Sequence, residues 1–183
     1  ITANSINIEI HSFPGLQEPN ISILDDGHGM SSTELIHNMK IGCKDPSDDR
    51  LRGDLGRFGS GMKTASFSQA RKLTVISKQE GQPICAAVWD IDHIEYENTW
   101  CLEILEEDEI KSHPLLLLDS SKGQGTQVIW EKLTCLNKTN HSLDDEIIMS
   151  SNLSELSDYI ALHFHKFMEG KNKRSFMING RKL

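Results

Sequence analysis

The segment "GRFGSGMKT", residues 56–64, constrains this chain more than any other stretch. Gly56, Gly59 and Gly61 crowd into a few positions just before Lys63, the composition of a phosphate-binding turn that leads into a helix. Neither familiar version of such a turn fits. A P-loop, G-x-x-x-x-G-K-[ST], needs lysine directly after its second glycine, and here Met62 lies between Gly61 and Lys63. A dinucleotide fingerprint runs G-x-G-x-x-G, whereas this order is G-x-x-G-x-G. The glycines alone leave the ligand open.

A second glycine motif, Asp25-Asp26-Gly27-His28-Gly29, follows the apolar run "ISIL". Calcium is excluded, because an EF-hand loop needs acids at alternate positions and a closing glutamate. An ionised carboxylate at a buried strand end can instead accept a hydrogen bond from an exocyclic amine. Glycines beside it let a flat ring approach the backbone closely. Adenine carries such an amine, so Asp25 is a candidate adenine acceptor, and the turn from Gly56 to Thr64 is a candidate anion site.

The pattern between and beyond these motifs is that of an α+β fold. Ile6, Ile8 and Ile10 alternate with polar residues and predict a strand, and Ile21 to Leu24 predict a second. Ser31 and Glu34 stand at capping-box spacing ahead of a helix with Leu35, Ile36 and Met39 on its apolar stripe. Residues 42–56 lack periodicity and carry Pro46, a long polar loop. "MKTASFSQA" predicts a helix, and "KLTVISK", "ICAAVWDI", "WCLEIL" and "GTQVIWEKL" predict an antiparallel meander. Leu153, Leu156, Ile160, Phe164 and Phe167 recur at helical spacing up to a stop at Gly170. "RSFMINGRKL" closes as strand and turn around Asn179-Gly180. The expected architecture is a two-layer sandwich, a mostly antiparallel mixed sheet with helices on one face.

Composition narrows the function. A net charge of −8 with no basic block argues against a large nucleic-acid face; Arg71, Lys72, Lys78 and the group from Lys171 to Arg174 are too sparse. Cys43, Cys85, Cys101 and Cys135 form no C-x-x-C pair, so neither zinc nor a disulfide framework is expected, and reduced thiols point to an intracellular, cytoplasmic protein, or a nuclear one in a eukaryote. No run of ~18 apolar residues predicts a membrane span, and "HPLLLLDSS" reads as buried strand or loop. His163 and His165, two apart on a helix, point in different directions and cannot share a metal. His28 is expected to be exposed, and the acidic run 105–110 to be a solvated turn. Asp144, Asp145 and Glu146 suit a helix N-terminus.

Taken in order, D-x-G-x-G, capped helix, polar loop, G-x-x-G-x-G, helix, strands and a Gly-Thr pair resemble the GHKL ATPase superfamily of gyrase, heat-shock chaperone, histidine kinase and MutL, over essentially the whole chain. "DDGHGM", "DLGRFGSGMKTASFSQ" and "FMINGRKL" most resemble the MORC-like branch and its bacterial relatives. The resemblance implies the Bergerat fold and an ATP hydrolase. It implies that Asp25 binds the adenine amine directly and through water, that Gly27, Gly29 and Met30 line the base pocket, and that Thr126 shares the adenine-bound water. It places the ATP lid at Lys44 to Leu55 and the phosphates on Gly56, Arg57, Phe58, Gly59, Ser60 and Gly61, followed by Met62 and Lys63. Magnesium, nucleotide-dependent homodimerisation and nucleic acid held by other domains are further implications, with no membrane partner.

Relatives also carry an upstream helix whose glutamate activates water and whose asparagine helps hold Mg²⁺. Only "ITANS", with Asn4 past the expected position, precedes the first strand, and Ile1 to Ser5 contain no acid. The catalytic glutamate and the magnesium ligand are therefore expected upstream of Ile1. The chain is expected to be one nucleotide-binding domain, 1–183, without that helix and without the transducer domain that follows in relatives. No catalytic residue and no metal ligand are expected in it. Two other readings stand beside the ATPase: a nucleotide-regulated binding module with little hydrolysis, and a histidine-kinase-type phosphotransfer domain, which lacks the "GRFGSGMKTASF" continuation. The ATPase reading carries a test. Loss of a general base costs roughly 10²–10⁴-fold, so residues 1–183 should bind ATP yet release phosphate near background in a steady-state assay. Robust turnover would place the base within the chain.

Overall fold

The computed structural model describes residues 7–13, 19–42, 59–118, 123–134, 143–170 and 173–183. In chain order they form β1 (Asn7–Phe13), β2 (Asn20–Asp25), α1 (Ser32–Met39), α2 (Gly61–Gln69), β3 (Ala70–Lys78), β4 (Cys85–Asp90), α3 (Ile91–Glu97), β5 (Glu103–Leu105), α4 (Glu107–Ser112), β6 (Gly125–Leu133), α5 (Leu143–Met168), β7 (Ser175–Ile178) and β8 (Arg181–Lys182). The strands make one sheet in the order β5-β4-β3-β6-β2-β1-β7-β8. Every junction is antiparallel except β1 with β7, which makes the sheet mixed. The expected meander holds for β3, β4 and β5. β6 departs from it, returning to the other side of β3 and filling the place beside β2.

Strand alternation gives the sheet two faces. Ile21 and Ile23 of β2 pair with Trp130 and Val128 of β6, which pair in turn with Leu73 and Val75 of β3. This face packs against Leu35 and Met39 of α1, Met62 and Phe67 of α2, and Ile94 of α3. At its far side Ile160 of α5 packs with Ile10 and Ile178. The helical layer is therefore α1, α2, α3 and α5. The short α4 lies on the reverse face, where Ile110, Leu115 and Leu118 meet Ile76, Ala86 and Ile129.

Local chemistry accounts for the boundaries. Ser31 Oγ accepts from Glu34 N at 3.4 Å while the Glu34 carboxylate accepts from Ser31 N at 2.9 Å, the capping box expected for α1. The acidic run 105–110 does not form a solvated turn. Glu106 and Glu109 make a second capping box, and Ile110 is buried, so the acids sit at the start of α4 where the helix dipole favours them. α3 likewise escapes the strand pattern, because Asp90 caps it through Asp92 N at 3.0 Å. α5 begins at Leu143, which places Asp144, Asp145 and Glu146 in its first turn. Its stripe buries Leu153, Leu156 and Ile160 at least in part, whereas Phe164 and Phe167 stay exposed, the Phe164 ring lying tilted 6.2 Å from Phe167 and 6.1 Å from Phe176. Asn179 and Gly180 both have positive φ, 48° and 75°, the hairpin geometry expected between β7 and β8.

The reverse face is fastened by one buried amide. Gln127 Oε1 accepts from Leu117 N at 2.9 Å and Leu118 N at 3.0 Å. Its Nε2 donates to Ser22 Oγ at 2.9 Å and Leu115 O at 2.6 Å. All four hydrogen-bonding positions of the amide are thus used, and "HPLLLL" is a loop tied over the sheet. Replacing Gln127 with leucine keeps the volume but orphans these groups, each worth about 1–3 kcal/mol when buried and unsatisfied. Gln127→Leu should therefore lower the urea midpoint of unfolding clearly, while surface changes such as Glu80→Gln should not.

Candidate functional site

Where the helical face reaches the ends of the strands, its rows change character. Ile23, Val128, Val75 and Ala87 form an apolar row across β2, β6, β3 and β4. The next row is Asp25, Thr126, Ser77 and Cys85: a carboxylate, two hydroxyls and a thiol side by side. Ser77 Oγ lies 2.9 Å from Thr126 Oγ1 and 3.1 Å from Gly125 O, and both hydroxyl residues are buried. Burial pushes the Cys85 thiol up to about 11, so it stays protonated and donates weakly to Met30 O at 3.5 Å.

The segment after β2 folds over this row. Gly27 N donates to Asp25 Oδ1 at 2.7 Å, and Met30 N donates to Ser77 Oγ at 2.8 Å. Between them Gly29 has φ +66°, and a Cβ there would lie 1.9 Å from Lys78 O and 2.9 Å from Gly125 O. Gly125 is as tightly placed: with φ +153°, its Cβ would meet Asp25 O at 2.3 Å. These two glycines let three backbone segments converge beside Asp25, which no larger residue permits. Asp26 turns away, both carboxylate oxygens accepting from Asn7, at 2.9 Å from its N and 2.7 Å from its Nδ2.

The glycine turn before α2 is described from Gly59 onward. Gly59 has φ +62°, and Ser60 is the N-cap of α2 with no side-chain cap hydrogen bond. No acid lies in the first turn of α2, an arrangement open to an anion at the helix N-terminus. Met62 and Met30 join the apolar cluster beneath the site. Lys63 is buried, and its Nζ donates to Asn38 O at 2.5 Å, bracing α2 against the carbonyl end of α1. Gly56, Arg57, Phe58 and the lid segment Lys44 to Leu55 lie outside the described residues, as do Cys43 and Cys135. So do Ile1 and Asn4.

A family model described as histidine kinase-, DNA gyrase B-, and HSP90-like ATPase matches residues 1–126, more than half of the chain. The chain belongs to this ATPase family. No curated protein matches it significantly. The matched span runs from Ile1, holds Asp25, Gly27, Gly29, Met30 and the glycine turn, and closes on Thr126, the register partner of Asp25. In this ATP-binding domain the sheet order joins two ends of the sequence signal: β6 lies beside β2, so Asp25 and Thr126 are neighbours although 101 positions separate them.

The other candidates divide. Glu9 lies on the opposite face from Ile8 and Ile10 and bonds His11 at 3.2 Å, away from the site. Arg71 pairs with Asp92 and Glu95, and Lys72 with Glu131, so these cations are engaged within the fold. His28 is exposed, and His163 and His165 bond Tyr159 O and Leu162 O of their own helix. Among the described residues no group of three His, Cys, Asp or Glu is placed to hold a metal ion, and no helix is long and apolar enough to cross a membrane. Cys85 and Cys101 are free thiols. Ser77 escaped the sequence reading. Its signal is there in retrospect, since Leu73, Val75 and Ser77 alternate along β3 and the hydroxyl breaks an apolar series at the strand end.

Burial raises the pKa of Asp25 above its ordinary 3.8, against the lowering effect of the Gly27 N–H, and Asp26 adds to the rise. A raised carboxyl pKa means that ionising Asp25 costs folding free energy, a cost absent below the unfolded value and complete above the folded one. Asp25→Asn keeps an oxygen for Gly27 N and removes that cost. The variant should therefore be at least as stable as wild type at pH 7, with any difference closing as pH falls below 3.8. Thermal melts across pH provide the measurement.

Proposed function

We propose that this chain binds ATP with its adenine on Asp25 and Thr126 and its phosphates at the N-terminus of α2, as the nucleotide-binding domain of a MORC-like ATPase. The observation that carries the reading is the paired register of Asp25 and Thr126 beneath a loop that only glycine at 29 and 125 allows. Both atoms the base edge would meet, a carboxylate oxygen and a hydroxyl, lie on the same face as α1 and α2. Met30 borders the adenine, with Gly27 and Gly29 giving the ring its approach. Gly56 to Gly61 cradle the phosphates through backbone N–H groups, and Lys63 fixes the first turn of α2 in place.

ATP bound this way supplies the γ-phosphoryl group whose contacts order a lid, Lys44 to Leu55, and bring two copies together in a DNA-associated protein. The described residues do not make a magnesium site: Asp25 faces the base and Asp26 is held by Asn7. Mg²⁺ and the water-activating base would come from groups other than these.

Calorimetry with ADP tests the assignment. Losing a charge-assisted hydrogen bond to the base costs about 1.5–3 kcal/mol, roughly ten- to a hundredfold in affinity. Asp25→Asn should weaken ADP by that factor while melting no lower than wild type at pH 7. Equal affinities would remove Asp25 from the site.

A further inference from the structure

We propose that Ser77 is a positioning residue for base selection: it fixes the Thr126 hydroxyl as a hydrogen-bond acceptor, so that the site takes a 6-amino purine and rejects a 6-oxo purine. The inference rests on the adenine reading above and goes beyond it, because Ser77 acts through Thr126 and touches no ligand.

The argument is a count of protons. Ser77 Oγ has one hydrogen and two lone pairs. Three groups surround it: Met30 N at 2.8 Å, which can only donate, Gly125 O at 3.1 Å, which can only accept, and Thr126 Oγ1 at 2.9 Å, which can do either. If Ser77 gives its proton to Gly125 O, Thr126 gives its own to the remaining lone pair of Ser77, and three hydrogen bonds form. If Ser77 instead gives its proton to Thr126, the bond to Gly125 O is lost and only two of the three form within the cluster. In a buried cluster the first arrangement wins, since it keeps one more hydrogen bond among the buried groups.

In that arrangement Thr126 has no proton left to offer. Asp25, when ionised, has none either, and its Oδ1 is already taken by Gly27 N at 2.7 Å. The two register partners then present acceptors only. An exocyclic amine, or a water that donates to both, satisfies them; a 6-oxo group would set a third acceptor against them. Desolvated mismatches of this kind carry larger penalties than a lost contact. Met30 belongs to the same device. Its N–H occupies the lone pair of Ser77 that would otherwise be open, so the loop over the site and the state of Thr126 are set together.

The experiment compares ADP and IDP binding, by calorimetry, to the full chain. Wild type should prefer ADP. In Ser77→Ala the Thr126 hydroxyl is released to donate, so ADP should weaken while IDP holds or tightens, and the preference should fall about three- to tenfold or more. A Ser77 that merely supports the fold would weaken both ligands in the same proportion and overturn the proposal. Thr126→Val gives a second route if Ser77→Ala fails to fold. It should reduce the preference similarly, whereas Thr126→Ser, which keeps the hydroxyl, should preserve it. An unchanged preference in Thr126→Val would also overturn the proposal. Failure of wild type to bind ADP at all would instead sink the adenine reading on which the inference stands.

Discussion

The seating of β6 between β2 and β3 is the constraint on which the rest of this structure depends. Hydrogen-bonded to both neighbours, β6 carries Thr126 to Asp25 on one side and to Ser77 on the other. A strand fixes side-chain facing by strict alternation, so a slip of one residue in β6 would turn Thr126 to the reverse face and bring Gln127 to the site. The two neighbours could hardly be less alike in duty. Thr126 faces the helices and the proposed ligand, while Gln127 faces away and uses all four positions of its amide to hold the 115–118 loop. That loop, with Leu115 and Leu118 buried on the reverse face, helps hold the register against slipping.

Backbone proximity is the second requirement. Three chain segments, 25–30, 77–78 and 125–126, meet at distances that leave no room for a Cβ on Gly29 or Gly125. The convergence places polar groups where burial would otherwise be costly, and the structure answers with mutual satisfaction: Gly27 N on Asp25, Met30 N on Ser77, and Ser77 against Thr126. Asp25 is the member left under tension. Burial holds its pKa above the ordinary value because the Gly27 N–H does not fully offset desolvation. A hydrogen-bond donor placed beside it would favour the ionised form.

Lys63 is held by a partner from a neighbouring helix. By position it follows the glycines and suits a phosphate contact. The helix it belongs to lies against α1, and its ammonium finds the C-terminal carbonyl of Asn38, where the α1 dipole concentrates negative charge. A buried ammonium needs such a partner. The lysine thereby ties the first turn of α2 to the C-terminal end of α1.

What the sequence determined by itself was the set of elements with strong local codes and the two glycine motifs. The capping box at Ser31 and Glu34, the alternation in β1 and β2, the long α5 and the Asn179-Gly180 turn each depend on neighbours a few residues apart, and each reads directly from the chain. α3 and α4 did not, because helices of this length sit below the periodicity that betrays longer ones: the start of α3 continues a strand pattern, and the acids of α4 look like a solvated turn until Ile110 is seen to be buried. The return of β6 to β3 instead of onward from β5 is decided by which edge can bury Val128, Trp130 and Ile129 on both faces at once, a question of three-dimensional packing. The same holds for Ser77. Nothing in the sequence sets this serine apart, and it acquires a role only because register brings Thr126, Gly125 and Met30 within hydrogen-bond reach, a geometry that no local pattern encodes.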